Sequence, residues 1–174
     1  NRVAQTGFYS QLQWSPDDSR LIFTDQNQQL WIANAKNGST LIIDQTKITH
    51  PVPDMMASWS PDSKWVAYTT QNINMFRELH VYSVEQRDSF KVSEGLAEIQ
   101  YPAWDKGGER LYFAASTNYG PNAAWLDMSS VSFDPTYHLY YVILNAKGQP
   151  PLPLRSDEEV SENNDDKKEE DGET

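Results

Sequence analysis

Hydrolytic chemistry needs a nucleophile, a base within hydrogen-bond reach and a third group that orients the base, so the three histidines are the first residues to weigh. His50 stands before Pro51 in a loop, His80 lies inside an alternating apolar run, and His138 opens another such run. None has a Gly-x-Ser-x-Gly elbow or similar context nearby, and the pattern fits histidines held by structural partners. No catalytic residue is assigned. Metal binding would require clustered ligands at a recognisable spacing. Asp17-Asp18 is too short for that, and the absence of Cys removes thiol nucleophiles, disulfides and Cys-based zinc sites. Neither a metal nor a cofactor is expected. Asn37-Gly38-Ser39 matches a glycosylation triplet, but Asn-Gly is accounted for by hairpin geometry, because both central residues of the favoured two-residue turn need positive φ.

The elements that must position any site are set by an internal repeat. Trp14-Ser15-Pro16-Asp17 recurs as Trp59-Ser60-Pro61-Asp62 and, degenerately, as Trp104-Asp105-Lys106-Gly107, at a spacing of 45 residues. Seven residues after each Trp come Leu21, Val66 and Leu111, and nine after come Phe23, Tyr68 and Phe113. Apolar side chains two apart are strand periodicity. Between Trp and strand, Pro presets φ near −65° and the Asp carboxylate can accept from the backbone two residues on. In the third copy Gly107-Gly108 takes over the turn by permitting positive φ.

Third strands follow at Leu30–Ala33, Leu79–Tyr82 and Leu139–Val142, with fourth strands around Leu41–Ile43 and Phe90–Val92. Four short strands per 45-residue repeat make a propeller blade. The expected fold is all-β: a partial β-propeller of about three four-stranded antiparallel blades over residues 1–154. The repeated Trp residues, Trp14, Trp59 and Trp104, are expected to serve blade core and inter-blade packing.

Propellers close with typically four to eight blades. Three leave the hydrophobic faces of the first and last blade bare, so a partner is expected: the remaining blades of the same polypeptide, a second copy, or a separate fragment. Formal net charge is −11, and residues 155–174 hold ten acidic and three basic residues. That segment is too poor in apolar side chains to offset its ordering entropy and reads as an acidic disordered tail or loop. With this charge and no basic stripe, nucleic acid is not a partner class. No run approaches the roughly 18 apolar residues of a spanning helix, so no membrane partner is expected.

From motif Trp to third-strand Leu the distance grows from 16 to 20 to 35 residues, which puts an insertion of about fifteen residues or more, spanning Ser116 to Tyr137, in the third blade. Loops on a rigid scaffold carry recognition. This one offers Tyr119, Trp125, Leu126 and Met128 for peptide or partner contact, or for capping a neighbouring blade.

The Trp-Ser-Pro-Asp repeats resemble those shared by the Tol-system translocation propeller, prolyl-oligopeptidase propellers and tricorn-type peptidases. The third repeat is more selective: Tyr101-Pro102-Ala103-Trp104-Asp105, Leu111 to Thr117, Gly120-Pro121, Trp125-Leu126-Asp127-Met128-Ser129-Ser130, and Pro153-Leu154 with Ser156-Asp157-Glu158-Glu159. This combination resembles bacterial tricorn-type serine peptidases across nearly all of residues 1–159. The resemblance implies propeller blades ahead of a PDZ domain and a protease domain, guidance of peptide substrates toward the protease, and a periplasmic or secreted compartment. The family's serine nucleophile lies in a domain no stretch of this chain matches. Asp18 and Ser63 stand where related repeats usually have Gly. Two alternatives remain open: a Tol-system-like interaction module, and the propeller of a prolyl-oligopeptidase-like hydrolase with its Gly-x-Ser-x-Gly elbow elsewhere.

Overall fold

A computed structural model describes residues 7–46, 55–74, 76–118, 135–145 and 148. Strands β1 (Tyr9–Trp14), β2 (Arg20–Asp25), β3 (Gln29–Asn34) and β4 (Thr40–Gln45) form one antiparallel sheet in chain order. Strands β5 (Ala57–Trp59), β6 (Trp65–Gln71), β7 (Arg77–Ser83) and β8 (Asp88–Lys91) form the second. In the third, β9 (Glu98–Trp104) and β11 (His138–Ile143) flank β10 (Arg110–Ser116). These are three blade-like sheets of a partial propeller, the third with three strands among the described residues. Residues 155–174, assigned to the tail, lie outside the described residues, as does the core of the insertion.

Each turn after the motif Trp is built by its own sequence. Ser15 N donates to Arg20 O and Ser60 N to Trp65 O, both at 2.9 Å. The hydroxyls work in both directions: Ser15 Oγ and Ser60 Oγ donate to Asp17 and Asp62 at 2.6 Å and accept from Arg20 N and Trp65 N at 2.9 Å. Asp17 and Asp62 accept from the backbone two residues on, at 3.1 Å. In the third blade one side chain fills both roles, since Asp105 Oδ1 accepts from Glu109 N at 2.8 Å and Arg110 N at 3.0 Å. Ser-Pro can therefore be lost there without loss of the turn. Asp18, Ser63 and Gly108 occupy the same left-handed position, at φ 57°, 60° and 72°. The expected Gly is dispensable at the first two because the surrounding bonds hold a residue that would otherwise pay about 1–2 kcal/mol.

The Asn37-Gly38 connection differs from the two-residue turn expected. Strand β3 ends at Asn34 and β4 begins at Thr40, and of the pair only Gly38 has positive φ, 69°. The cause is Asn34, whose Oδ1 accepts from Lys36 N at 2.9 Å and Asn37 N at 3.2 Å and so opens a longer turn. Gly38 N then closes it on Asn34 O at 2.9 Å, as Arg87 N does on Ser83 O at 2.8 Å in the second blade.

Apolar burial lies between blades. One cluster joins Ile22, Leu30 and Ile32 of the first blade to Trp59, Val66 and Tyr68 of the second. The other joins Leu79 and Val81 of the second to Ile99, Leu111 and Ala115 of the third. Among the described residues neither cluster lies within a single blade, so each blade depends on its neighbour.

Two outcomes test the turns. Ser60→Ala leaves Trp65 N without its acceptor in a buried position, so urea unfolding should show a loss of about 1–3 kcal/mol. Asp17, held near pKa 2 by bonds from Ser15 and Ser19, favours folding above its ordinary value near 4. That contribution should disappear as pH falls from about 4 toward 2, and Asp17→Asn should flatten the acid limb of a stability–pH curve over this window.

Candidate functional site

The motif Trp residues define a joint that the chain makes twice. Trp59 Nε1 donates across the blade boundary to Gln13 O at 3.3 Å, and Trp104 Nε1 to Ser58 O at 3.1 Å. In both cases the acceptor is the carbonyl one residue before the preceding blade's own motif Trp. Trp59 is only 5% exposed, whereas Trp14 is 56% exposed. Trp14 thus departs from the packing role expected of it, because the wall that covers Trp59 and Trp104 comes from the blade before, and no described residue supplies the equivalent indole acceptor for Trp14.

The opposite end shows the complementary gap. Ala35 N donates to Ser19 O, Val84 N to Lys64 O and Leu144 N to Glu109 O, so Leu30, Leu79 and Leu139, each five residues earlier, are structural equivalents. Leu30 and Leu79 are fully buried against the following blade, but Leu139 is 76% exposed. The Trp14 face and the Leu139 face are the two halves of the joint. Burying one such Leu is worth about 1.5–3 kcal/mol, and these two faces are the candidate functional surface of the chain.

Polar contacts reinforce the joints. Asp17 N donates to Ser63 Oγ at 3.1 Å and the Tyr68 hydroxyl to Asp44 Oδ2 at 2.9 Å. Burial raises the Tyr68 phenol well above its ordinary range, with the Asp44 carboxylate acting in the same direction. Between the second and third blades, Arg77 donates to the Glu98 carboxylate from both Nε and its backbone N, with both side chains buried. His80 packs its ring 5.5 Å from that of Tyr68 and sits 3.4 Å from Glu78 Oε2. His138 lies at the start of the exposed strand β11; His50 is outside the described residues. Among the described residues no group of three or more His, Asp or Glu could hold a metal.

Tyr119, Trp125, Leu126 and Met128 also lie outside the described residues. The residues at the two ends of this segment are described, and they are tied together. Asn118 Oδ1 accepts from Ser116 Oγ at 2.8 Å and Thr136 N at 3.0 Å, and Asn118 Nδ2 donates to Thr136 Oγ1 at 3.0 Å. Gln100 Nε2 anchors Tyr137 at 2.8 Å. No local signal singles out Asn118, whose role appears only once residues 18 apart are brought together.

No family model matches the chain, and no curated protein matches it by sequence. Its fold is found in solved structures. The crystal structure of the tricorn protease matches with TM-score 0.67 at 14% identity, over 85% of this chain and 15% of that one. TolB from Acinetobacter baumannii matches with TM-score 0.53 at 15% identity, over 84% of this chain and 34% of that one. The Pyrococcus horikoshii acylaminoacyl peptidase matches with TM-score 0.51 at 17% identity, over 67% of this chain and 19% of that one. The likeness establishes the propeller architecture, and the chain spans about a third or less of each of these structures.

Trp59→Phe and Trp14→Phe separate a made joint from an open one. Removing the Trp59 indole N–H deletes the inter-blade bond to Gln13 O and should cost about 0.5–1.5 kcal/mol. The same change at Trp14 should shift the unfolding midpoint of the 174-residue chain little, which parallel urea titrations would show.

Proposed function

We propose that this chain is a non-catalytic propeller segment of a tricorn-like serine peptidase, contributing substrate guidance or domain packing and no bond chemistry. The observation that carries the reading is the pair of open half-joints at Trp14 and Leu139. A surface built to take a further blade on each side belongs to a segment of a larger ring. Its partners on this reading are the remaining blades and the protease domain of the parent polypeptide, with self-association as the substitute when those are missing. Peptide substrates meet the scaffold through the third-blade insertion, whose ends the Asn118 bonds hold close, with Tyr119, Trp125, Leu126 and Met128 as the contact residues. The tricorn protease likeness covers the most of this chain at the highest TM-score of the three, and the third-repeat motif supports the same assignment.

Expression of the full reading frame tests this directly. Downstream sequence should encode further Trp-Ser-Pro-Asp-type blades and a serine protease domain. Replacing Trp125 and Leu126 by Ala in that polypeptide should reduce cleavage of long peptides several-fold more than cleavage of short chromogenic substrates. A frame encoding only a closed propeller with no protease would sink the peptidase reading in favour of an interaction module. Residues 1–174 alone should hydrolyse neither class of substrate, and should self-associate or bind a hydrophobic dye in light-scattering and fluorescence measurements. A dye-silent monomer would overturn the open-joint argument.

A further inference from the structure

Between the β3–β4 turn and the β7–β8 turn lies a pocket of about 290 Å³, whose polar lining is Arg20, Asn34, Ser39, Thr40, Tyr82 and Arg87. A water occupies about 30 Å³, so the space holds a small ligand with part of its hydration. No carboxylate lines it, in a chain that carries 25 acidic residues and a net charge of −11.

Among the described residues the two guanidinium groups here have no carboxylate within ion-pair distance, Arg87 being exposed and Arg20 half-buried. Arg20 Nη1 donates to the Ser19 hydroxyl at 3.1 Å, and its charge acts at longer range on the Asp17 carboxylate to which that hydroxyl donates. Arg87 occupies the left-handed turn position, φ 55°, that Gly38 fills in the first blade. A long side chain is thus held at a backbone geometry that Gly would satisfy without strain. Tyr82, only 3% exposed, lines the same space, and no described group accepts from its hydroxyl. Burial raises its phenol, while the charges of Arg87 and Arg20 pull the other way, which sets both guanidinium groups within its field. Adjoining this pocket, Asp44 and Asp88 line a second one with Arg87, yet neither comes within ion-pair distance of it.

We infer that this inter-blade pocket binds a doubly charged tetrahedral oxyanion, a phosphate group free or carried on a ligand, held by Arg20, Arg87 and the Tyr82 hydroxyl. Two guanidinium groups from adjacent blades match two negative charges, and charge-assisted bonds to phosphate oxygens are the strong ones. The Ser39 and Thr40 hydroxyls supply further neutral donors. Because the anion bridges blades, its binding also ties the first blade to the second, independently of any peptidase assignment.

The test titrates inorganic phosphate into the 174-residue chain against chloride at matched ionic strength, reading backbone amide shifts and the thermal midpoint. Saturable shifts at Tyr82 to Arg87 and at Ser39–Thr40, with a raised midpoint, are expected. Arg87→Gly relieves the positive-φ strain as it deletes the guanidinium, so it should keep or raise the midpoint without phosphate while weakening phosphate binding about tenfold or more. Arg20→Gln should weaken binding similarly, and Tyr82→Phe to a lesser degree. Shifts no larger than those in chloride, or Arg87→Gly binding phosphate like the parent, would overturn the assignment. So would saturable binding of acetate without binding of phosphate, which would mark a carboxylate site instead.

Discussion

In this chain the motif Trp of the second and of the third blade packs on the blade before it, and its indole N–H is satisfied by that blade's first strand. The bond from Trp59 to Gln13 O and its repeat from Trp104 to Ser58 O fix the offset between adjacent sheets. With the acceptor at the same position relative to each motif, every joint adopts the same geometry. The apolar clusters follow, because Leu30 and Leu79 can be covered only when the next sheet arrives at that offset. Stability is therefore a property of neighbouring pairs more than of single blades, and the Trp14 and Leu139 faces contribute least to it.

The Ser-Pro-Asp turn makes this joint possible by rigidifying the stretch that follows the Trp. A buried hydroxyl that donates to a carboxylate and accepts from the backbone leaves no polar group unpaired. The third blade keeps the arrangement with one Asp in place of two residues, which shows that the bond pattern is maintained while the sequence that makes it varies. First-strand bulges are shared too: Gln11 and Tyr101, both at φ 55°, bend β1 and β9 at equivalent places.

Charge is distributed with a similar economy. Buried or half-buried acids are matched, Glu98 by Arg77 and Glu78 by Asn72, Lys91 and His80, bonds that together hold the Glu78 carboxyl below its ordinary value although burial alone would raise it. Breaking such a buried pair by removing one partner costs about 3–5 kcal/mol. Among the described residues Arg20 and Arg87 form no ion pair and line one pocket that holds no carboxylate, and that juxtaposition is what marks it as a candidate site.

Much of the architecture was legible in the residues themselves. The 45-residue spacing of Trp, the period-two apolar positions and the turn chemistry located the strands among the described residues closely enough that Leu30, Leu79 and Leu139 fell on β3, β7 and β11. These are local signals, carried by side chains within a few residues of one another. The Asn37-Gly38 turn escaped because Asn34, outside the dipeptide, competes for its backbone. Trp14 could not be told from Trp59 by sequence, since the two share a motif and differ only in what lies across the blade boundary. The same holds for Arg20 and Arg87, 67 residues apart in the chain, which share a pocket only because adjacent blades pack at the offset the indole bonds impose. Local chemistry determined the blades, and the long-range packing of one blade on the next decided which of their residues are joined, which are bare and which face a common space.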